Sequence, residues 1–416
     1  MTDAAHDVVV IGAGIVGLSV ALQLHLEGLN VTVVDQNDPM EGCSAGNAGY
    51  LSQANIFPPA TPDLLLKIPR LLLADDGPMV IRPSYLGKMV PWSLRAIGAL
   101  RPARYMKTIG TFASLITRSQ PALHALAASA HASNLLSQEG GLIAYKTEAA
   151  FQGKQRSIPV WRDHGVEVEI IGAGELRDLE PALAKDLVGG LFFPGSGRCS
   201  NPKALGLRYF DHLTRSGGRF LRGRVGSVSR NADQSWSVTV NGAPILARRV
   251  VLCAGHQSEA LLDGFGFKST LASERGYHLM LPESHVSLNR PIVFGEPLFA
   301  ATPMQEGLRL AGTAEFCKPG SQPNMERAYM LERIAARYIP GLNNSGAKPW
   351  TGIRPTLPDG LPGIGEVIPD SGYFYAFGHG HNGLMMSGIT AQCIAALILK
   401  RPSPVDVSPL SLHRFN

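Results

Sequence analysis

The sequence predicts an α/β fold built on a parallel sheet, and three observations near the N-terminus predict it. The first is a continuous apolar run rich in β-branched residues, Asp7 to Ile11, which is typical of a strand buried on both faces. The second is an amphipathic stretch that ends near Gly28 and predicts a helix. The third is the strand-like run VTVVD, which closes on Asp35.

The turn between the first strand and the helix carries a G-x-G-x-x-G pattern at Gly12, Gly14 and Gly17. The first glycine permits a tight turn, the second lets the backbone approach a pyrophosphate, and the third lets the helix pack closely on the strand. Ile15 and Val16 supply backbone N–H groups at the helix N-terminus, which favours phosphate. Asp35, followed by Gln36, is spaced to accept hydrogen bonds from a ribose. This unit predicts a dinucleotide site and leaves NAD and FAD open.

Composition and charge exclude several classes of function. The 416 residues allow two or three domains, and the net charge of +5, without dense Lys/Arg runs, argues against a nucleic-acid partner. Five widely spaced cysteines form no zinc pattern, so we expect no metal and a reducing, cytoplasmic compartment. The N-terminal residues lack a basic segment and a cleavage site, and no window holds about 18 uninterrupted apolar residues. We therefore expect neither secretion nor a membrane span.

A run of small residues, EGCSAGNAGYLS, follows the second strand and offers backbone N–H groups to a phosphate or a flat ring. Its candidate cofactor residues are Ser44, Asn47, Ala48 and Gly49. The run resembles the S-x-x-N-A-G segment of the D-amino-acid oxidase superfamily of flavoproteins, which implies FAD as the cofactor.

Three further segments resemble this superfamily and lie in its order along the chain. They are VVLCAGHQS from Val250, WTGIRPTLPDGLPGIG from Trp350, and FGHGHNGLMMS from Phe377. The resemblance implies flavin contacts at Ala254, Gly255, Gly352, Gly380, His381, Asn382, Gly383 and Leu384. It also implies a backbone contact between Val225 and the adenine.

The resemblance implies a discontinuous Rossmann-like FAD-binding domain and an α+β substrate domain with a mixed sheet. The FAD-binding domain would comprise residues 1–60, 190–270 and 350–416. The substrate domain would comprise residues 61–189 and 271–349. In the middle of the chain, residues 201–218 begin with Asn and Pro and end with two glycines, which predicts a helix.

Within the superfamily, GCSAGNAGYLS and SERGYHLML (from Ser273) look most like bacterial D-amino-acid and D-hydroxyproline dehydrogenases. This resemblance implies oxidation of a small D-amino acid, such as D-proline, by hydride transfer from Cα to flavin N5. Arg354 is the candidate for binding the substrate carboxylate, because a guanidinium offers two parallel donors. Tyr277 and His278 are candidate pocket residues, although strand alternation sends them to opposite faces.

Residues 56–105 form an insertion in which apolar clusters alternate with Lys and Arg and which includes Trp92. This composition suits contact with an anionic membrane. It therefore predicts peripheral attachment to the inner face of the cell membrane, with a quinone as the electron acceptor. The alternative is a set of helices packed on the substrate domain, with the ends of Arg and Lys side chains in solvent.

The sequence is also compatible with other functions. An amino-acid or amine oxidase of the glycine- or sarcosine-oxidase type would pass electrons to oxygen and release peroxide. A non-catalytic flavin-binding subunit of a larger dehydrogenase would need a lost substrate site, against which Arg354 argues. A nicotinamide-dependent enzyme is disfavoured by the flavin-type loop near the C-terminus.

Overall fold

The computed structural model describes residues 6–61, 77, 79–267 and 270–415. Its helices are α1 Ile15–Leu26, α2 Leu86–Ala99, α3 Pro102–Ser129, α4 Glu148–Gln155, α5 Ile158–Asp163, α6 Ala173–Leu179, α7 Pro202–Arg215, α8 Glu326–Ala335 and α9 Ser387–Ile398. Short 3-10 helices include Cys43–Gly46, Pro83–Tyr85, Gly255–Leu261 and Gly380–Asn382.

The strands are β1 His6–Ile11, β2 Val31–Asp35, β3 Tyr50–Leu51, β4 Met79–Ile81, β5 Leu136–Ser137, β6 Gly141–Tyr145, β7 Glu169–Gly172, β8 Gly189–Phe193, β9 Gly197–Cys199, β10 Arg219–Arg222, β11 Val225–Arg230, β12 Trp236–Val240, β13 Ala243–Leu252, β14 Ala272–Leu281, β15 Ile292–Phe294, β16 Phe299–Met304, β17 Gly307–Phe316, β18 Lys348–Thr356, β19 Gly363–Glu366 and β20 Tyr373–Phe377.

The first large sheet contains the predicted parallel core. Its order is β10-β2-β1-β13-β12-β11, and β20 pairs with the second half of β13 while β19 pairs with β20. Strands β10, β2, β1, β13 and β20 run parallel, so their carboxyl ends share one edge. The predicted β1, α1 and β2 are confirmed.

The second large sheet is mixed, as predicted. Its order is β18-β14-β17-β16-β15-β6-β8-β7, with β4 added beside β17. The pairs β15 with β6 and β17 with β4 are parallel, whereas the others are antiparallel. Helix α8 covers one face, where Ala328, Leu331 and Ala335 pack against Leu279 and Leu281. On the opposite side, β18 contacts the 3-10 helices Cys43–Gly46, Gly255–Leu261 and Gly380–Asn382.

Helices α1, α9 and α3 form a layer over the first sheet. Helix α1 packs on α9, and α9 packs on α3 at Gly388, where a Cβ atom would collide with the backbone of Ala122. The predicted helix after Asn201 is α7, and the Asn201 side chain accepts a hydrogen bond from the Ala204 N–H at 3.0 Å.

The predicted insertion contributes β4, α2 and the start of α3, while its residues 62–76 and 78 lie outside the described residues. Helix α2 packs on β14, and the Trp92 Nε1–H donates to the Thr356 carbonyl at 3.2 Å. No helix in the described ranges is both long enough and apolar enough to cross a bilayer. The domain boundaries stay a prediction: β8 and most of β18 fall within the predicted FAD-binding segments, yet both belong to the mixed sheet.

Candidate active site

The carboxyl edge of the parallel strands gathers loops that are far apart in the sequence. Gly12 follows β1, Asp35 ends β2, Val225 follows β10, Ala254 and Gly255 follow β13, and the Gly380–Leu384 segment follows β20. Ligands of open parallel sheets bind outside this edge. The fold therefore brings most of the predicted cofactor residues into one region.

The glycine turn after β1 has the geometry that its sequence predicts. Gly12 has φ +111°, and a Cβ atom there would collide with the Cys253 carbonyl. A Cβ atom at Gly17 would collide with the Gly12 carbonyl, so α1 can pack this closely only with glycine. The N-terminus of α1, at Gly14 to Val16, has neither a side-chain cap at the N-cap position nor an acidic residue in its first turn.

Ser44 and Asp35 complete the surroundings of this turn. The Ile15 N–H donates to Ser44 Oγ at 3.1 Å, and the Ala13 N–H donates to Asp35 Oδ2 at 2.7 Å. Gln36 Nε2 donates to Gln257 Oε1 at 3.2 Å. A helix N-terminus that favours an anion lies beside a carboxylate that can accept further hydrogen bonds from hydroxyl groups, which is the combination that a dinucleotide requires. The residues present therefore fit FAD.

The loop from Cys43 to Gly49 lies between the glycine turn and the mixed sheet. Arg309 Nη1 donates to the carbonyls of Asn47 at 2.5 Å and Ala45 at 3.5 Å. His278 Nδ1 lies 3.1 Å from the Gly46 carbonyl. Because a carbonyl can only accept, Nδ1 carries the proton and Nε2 is left as an acceptor. Two basic side chains from β14 and β17 thus hold this loop by its carbonyl oxygens.

Asn47 ties the same loop to the C-terminal motif. Its Nδ2 donates to the His381 carbonyl at 3.4 Å, and its Oδ1 accepts from the Gly49 N–H at 2.9 Å. Ala48 between them is half-buried, and Gly49 has φ +72°. Asn55 Nδ2 donates to Asn382 Oδ1 at 3.0 Å. The two motifs therefore form adjacent walls of one region.

The run from Leu384 to Lys400 has the length and apolar pattern that predict a helix, but α9 begins only at Ser387. Gly380–Asn382 before it forms a 3-10 turn. Gly383 and Leu384 therefore lie in the turn before α9, and Leu384 is buried.

The face of β14 and β18 that turns toward these loops carries a charged cluster. Arg354 Nη1 donates to Glu274 Oε1 at 2.8 Å, and His381 Nε2 lies 2.9 Å from the same oxygen. The Thr356 hydroxyl donates to Glu274 Oε2 at 2.8 Å. A Cβ atom at Gly276 would collide with the guanidinium, so Arg354 lies flat across a glycine backbone. The cluster presents a held guanidinium whose remaining donors are not used by Glu274.

Opposing effects determine the charge of Glu274. Burial disfavours its ionised form, but His381, Arg354 and the Thr356 hydroxyl outweigh burial and hold the pKa well below its ordinary value. Glu274 is therefore ionised at neutral pH. Arg354 is 17% exposed and Glu274 6% exposed in their side chains, which leaves the guanidinium accessible from the loop side.

His278 and Trp350 form the floor beside this cluster. Their rings stack at 4.8 Å with an interplanar angle of 11°. The indole also lies over Gly46 and Gly352, where a Cβ atom would collide with it. Burial, together with the charges of Arg309 and Arg354, lowers the pKa of His278 to about 3. His278 is therefore neutral at physiological pH.

Tyr277 is the predicted site residue that the structure does not bring to this face. Its side chain is buried on the α8 side of the sheet, where its hydroxyl donates to Glu315 Oε2 at 2.5 Å and accepts from the Asn324 N–H at 3.1 Å. Glu315 also pairs with Arg82 and Arg275 there. Strand alternation predicts that only one of Tyr277 and His278 faces the site, and in the structure that residue is His278.

Sequence reasoning missed Glu274, Arg309, Thr356 and Trp350. Glu274 could have been predicted from the sequence, because residues 274, 276 and 278 share one face of a strand and His278 was already a candidate pocket residue. Arg309 gave no comparable signal, since only the pairing of β17 with β14 brings it beside the Cys43–Gly49 loop.

Comparison with known proteins gives three findings at the level of sequence. The model of a family described as DAO, FAD dependent oxidoreductase, matches residues 7–397. A D-amino-acid oxidase of Bradyrhizobium diazoefficiens is 32% identical over 426 residues, covering 100% of both chains. A D-amino acid dehydrogenase 2 of Ralstonia nicotianae is 30% identical over 428 residues, covering 98% of this chain and 100% of its own.

A solved structure shares the fold. Glycine oxidase from Geobacillus kaustophilus matches with a TM-score of 0.73 and 22% identity, covering 98% of each chain.

Proposed function

Because this chain belongs to the DAO family of FAD-dependent oxidoreductases, we propose that it oxidises a D-amino acid at Cα and passes the electrons to a quinone-type acceptor. The observation that carries the proposal is the guanidinium of Arg354, held by Glu274 on the sheet face opposite the glycine turn. The D configuration is supported by two relatives whose names specify D-amino acids.

FAD is the cofactor of the family, and the residues proposed to hold it lie around the carboxyl edge. They are Gly12, Gly14, Ile15, Val16, Gly17, Asp35, Gln36, Ser44, Asn47, Ala48, Gly49, Val225, Ala254, Gly255, Gly352, Gly380, His381, Asn382, Gly383 and Leu384. When bound, FAD supplies the hydride acceptor at flavin N5. The chain's own residues bind and orient the substrate.

Arg354 is the residue proposed to bind the substrate carboxylate. Glu274 engages only one of its terminal nitrogens, Nη1. A carboxylate can therefore take parallel N–H donors of the same guanidinium, a geometry that lysine lacks. Glu274 acts as a positioning residue, because its ion pair fixes the plane of the guanidinium.

Glu274 also gives the site a negative charge close to the place where the substrate amine would lie. Removal of hydride from Cα leaves a cationic imine, which a nearby carboxylate stabilises electrostatically. Its lowered pKa makes Glu274 a poor base, so we propose that the amine reacts in its neutral form without a dedicated base. The imine product then hydrolyses to a 2-oxo acid, or persists as a pyrroline if it is cyclic.

His278 is proposed as a neutral pocket wall. Its unprotonated Nε2 can accept a hydrogen bond from a substrate N–H or hydroxyl group. D-proline and D-hydroxyproline are the proposed substrates, supported by the SERGYH resemblance that includes this residue.

The quinone acceptor and a peripheral position on the inner membrane face are supported by α2. Leu86, Val90, Leu94 and Ile97, which we term the apolar stripe of α2, are 49–66% exposed along one side of the helix. No acidic residue occurs between Asp76 and Glu139, whereas exposed Arg101, Arg104 and Lys107 follow the stripe. An apolar stripe followed along the chain by exposed positive charge complements an anionic lipid surface.

The alternative is an oxidase that releases hydrogen peroxide. It is favoured by the relative named D-amino-acid oxidase, which is 32% identical. Oxidase and dehydrogenase share the steps at Arg354 and differ only in the acceptor.

The test is anaerobic reduction of the bound flavin, followed as loss of its visible absorbance, with D- and L-forms of proline, 4-hydroxyproline and alanine. We expect a D-amino acid to bleach the flavin, a soluble quinone to restore the colour quickly, and air to restore it slowly. Failure of every amino acid would refute the substrate assignment. Immediate recovery in air with stoichiometric peroxide would identify an oxidase.

A further inference from the structure

A cleft of about 350 Å³ lies between α2 and the beginning of β14, apart from the face that carries Arg354. One wall comes from Tyr85, Gly87 and Lys88. The other comes from His256 and Glu259 in the Gly255–Leu261 turn and from Ser273 of β14, with exposed Lys318 also lining the cleft. Glu259 pairs with Lys88 across the cleft at 3.0 Å. It is a mixed polar and apolar cleft that the proposed amino-acid chemistry does not use.

A buried hydroxyl in this cleft lacks a partner. Ser273 is 5% exposed, and within the described part of the chain its Oγ makes no hydrogen bond. A buried polar group without a partner is unfavourable, so such groups commonly mark a ligand or water position. The Ser273 N–H donates to the Tyr85 hydroxyl at 2.9 Å, which leaves the Tyr85 O–H to donate. Two hydroxyl donors therefore stand close together in the cleft.

The cleft adjoins the proposed cofactor and substrate residues through the backbone. His256 directly follows Gly255, and Ser273 directly precedes Glu274. Because successive residues of a strand point to opposite faces, Ser273 faces the cleft while Glu274 faces Arg354. A molecule in the cleft would approach the redox centre without entering the amino-acid site.

The apolar stripe of α2 begins next to the cleft along the chain. Leu86 of the stripe is the neighbour of Gly87, which lines the cleft. A molecule with a polar ring and an apolar tail matches this arrangement, because its ring could accept hydrogen bonds from the hydroxyl groups in the cleft while its tail lies along the exposed apolar helix. We propose that the cleft binds the head group of a quinone, an inference that rests on the proposed dehydrogenase function.

The chemistry balances with the reactants already named. The amino acid gives two electrons and one proton to the cofactor as hydride, and these pass to the quinone. The second proton comes from water at the exposed rim and is replaced by the proton that the cationic imine product releases to water, so both quinone carbonyls become hydroxyl groups. The hydroxyls of Tyr85 and Ser273 donate hydrogen bonds to a carbonyl oxygen as negative charge develops on it.

The test blocks the cleft by a substitution that the helix tolerates. A Cβ atom at Gly87 meets nothing within 4 Å, so Gly87→Phe adds a ring in open space beside the cleft. Gly98→Phe is the matched control, because Gly98 lies in the same helix and its Cβ also meets nothing within 4 Å. Both replacements remove a helical glycine and add the same apolar ring.

The holoenzyme is reduced with dithionite, and reoxidation by ubiquinone-1 is followed by stopped flow. We expect Gly87→Phe to slow reoxidation at least tenfold. The Gly98→Phe variant should be reoxidised at the same rate as the unchanged protein. Ser273→Ala and Tyr85→Phe should each weaken the apparent affinity for ubiquinone-1 about five- to tenfold. Equal rates for Gly87→Phe and Gly98→Phe would overturn the proposal.

A binding measurement provides a readout other than turnover. Trp92 lies on α2, so ubiquinone-1 should quench the tryptophan fluorescence of the oxidised holoenzyme saturably, and Gly87→Phe should abolish the saturable part. Saturable quenching that is unchanged in Gly87→Phe would also overturn the proposal. Because chemical reduction bypasses the amino acid, failure of the cleft is distinguishable from failure of the proposed substrate.

Discussion

At the scale of single residues, the site depends on how Glu274 and Arg354 share charge. The carboxylate is buried, yet it stays ionised because it faces a guanidinium, an imidazole and a hydroxyl. A buried pair of this kind contributes little net stability, while removal of one partner is costly. The pair is thus better explained by orientation of the guanidinium than by folding energy.

Replacing Arg354 with lysine keeps the positive charge and removes the parallel donors. A charge-assisted hydrogen bond contributes about 1.5–3 kcal/mol, so we expect kcat/KM for the D-amino acid to fall about 10- to 100-fold. Anaerobic flavin reduction measures this loss, and the flavin spectrum should be retained. Exposed Arg156 provides the control Arg156→Lys; equal kinetics in the two variants would contradict the role of Arg354.

Replacing Glu274 with glutamine removes the charge but keeps the shape. We expect the free energy of unfolding at neutral pH to fall by about 3 kcal/mol, because Arg354 loses its buried counter-ion. The pKa of Glu274 is lowered on folding, so its contribution is complete above the ordinary value of 4.5 and declines as the pH falls below it. Urea unfolding of both proteins across pH should show the difference shrinking in acid.

The control for this prediction is Glu283→Gln at an exposed position. A difference between the Glu274→Gln protein and the unchanged protein that does not vary with pH would show that lost packing, and not lost charge, is responsible.

At the scale of elements, the Cys43–Gly49 loop is shaped by side chains from two distant strands. Arg309 and His278 bind three successive carbonyl oxygens, those of Ala45, Gly46 and Asn47, and thereby fix the conformation of the loop beside the glycine turn. Burial lowers the pKa of Arg309 to about 10, which leaves it charged at neutral pH.

Replacing Arg309 with methionine tests this arrangement. Methionine fills a similar volume without a charge, so the fold should persist while the loop loses its donors. We expect the dissociation constant of FAD to rise about 10- to 100-fold, measured by flavin fluorescence on release from the protein. Arg337→Met, at an exposed position, should bind FAD normally; equally tight binding in the Arg309 variant would refute the role of the loop contacts.

The exposed apolar stripe of α2 predicts binding to anionic lipid vesicles. Val90 and Leu94 are 59% and 66% exposed, and burial of such side chains contributes about 1.5–3 kcal/mol each. The double variant Val90→Glu/Leu94→Glu should therefore lose sedimentation with phosphatidylglycerol vesicles while it keeps amino-acid-driven flavin reduction. Ile170→Glu, at an exposed apolar residue of β7, is the control. Unchanged vesicle binding of the double variant would exclude contact through α2.

At the scale of the whole molecule, two large sheets meet across the site and bury histidines between them and their helices. Burial, with Arg309 and Arg354, lowers the pKa of His278 to about 3. Burial lowers the pKa of His379 to about 4, and its Nε2 lies 2.9 Å from the Thr390 hydroxyl. Both are neutral in the folded protein at neutral pH.

These lowered values predict acid sensitivity. The unfolded chain binds protons at these histidines below its ordinary pKa of 6.5 while the folded protein does not, so stability falls as the pH decreases from 6.5 toward 4. Each histidine contributes up to about 1.4 kcal/mol per pH unit in that window. Urea unfolding should reveal this slope, and His379→Gln should reduce it, whereas His131→Gln at an exposed position should not. A slope unaffected by His379→Gln would contradict the assignment.

The sequence by itself determined the parts of this protein that depend on neighbouring residues. The βαβ unit follows from hydrophobic periods and from glycines at the turn, and the Asn201 cap follows from local hydrogen bonding. The motif resemblance predicted FAD and the mixed sheet, both of which fit the family and the fold. The βαβ unit and the helix cap could be predicted from local patterns because the interactions that fix them act between residues a few positions apart.

Only the tertiary structure decided which side chains meet at the site. The pairing of β14 with β17 and β18 puts Glu274 beside Arg354 and brings Arg309 beside the Cys43–Gly49 loop, while Tyr277 turns to the α8 side. These contacts join residues up to 264 positions apart. Strand register sets them, and register is fixed by burial of whole sheet faces, a property that no local stretch of the chain contains.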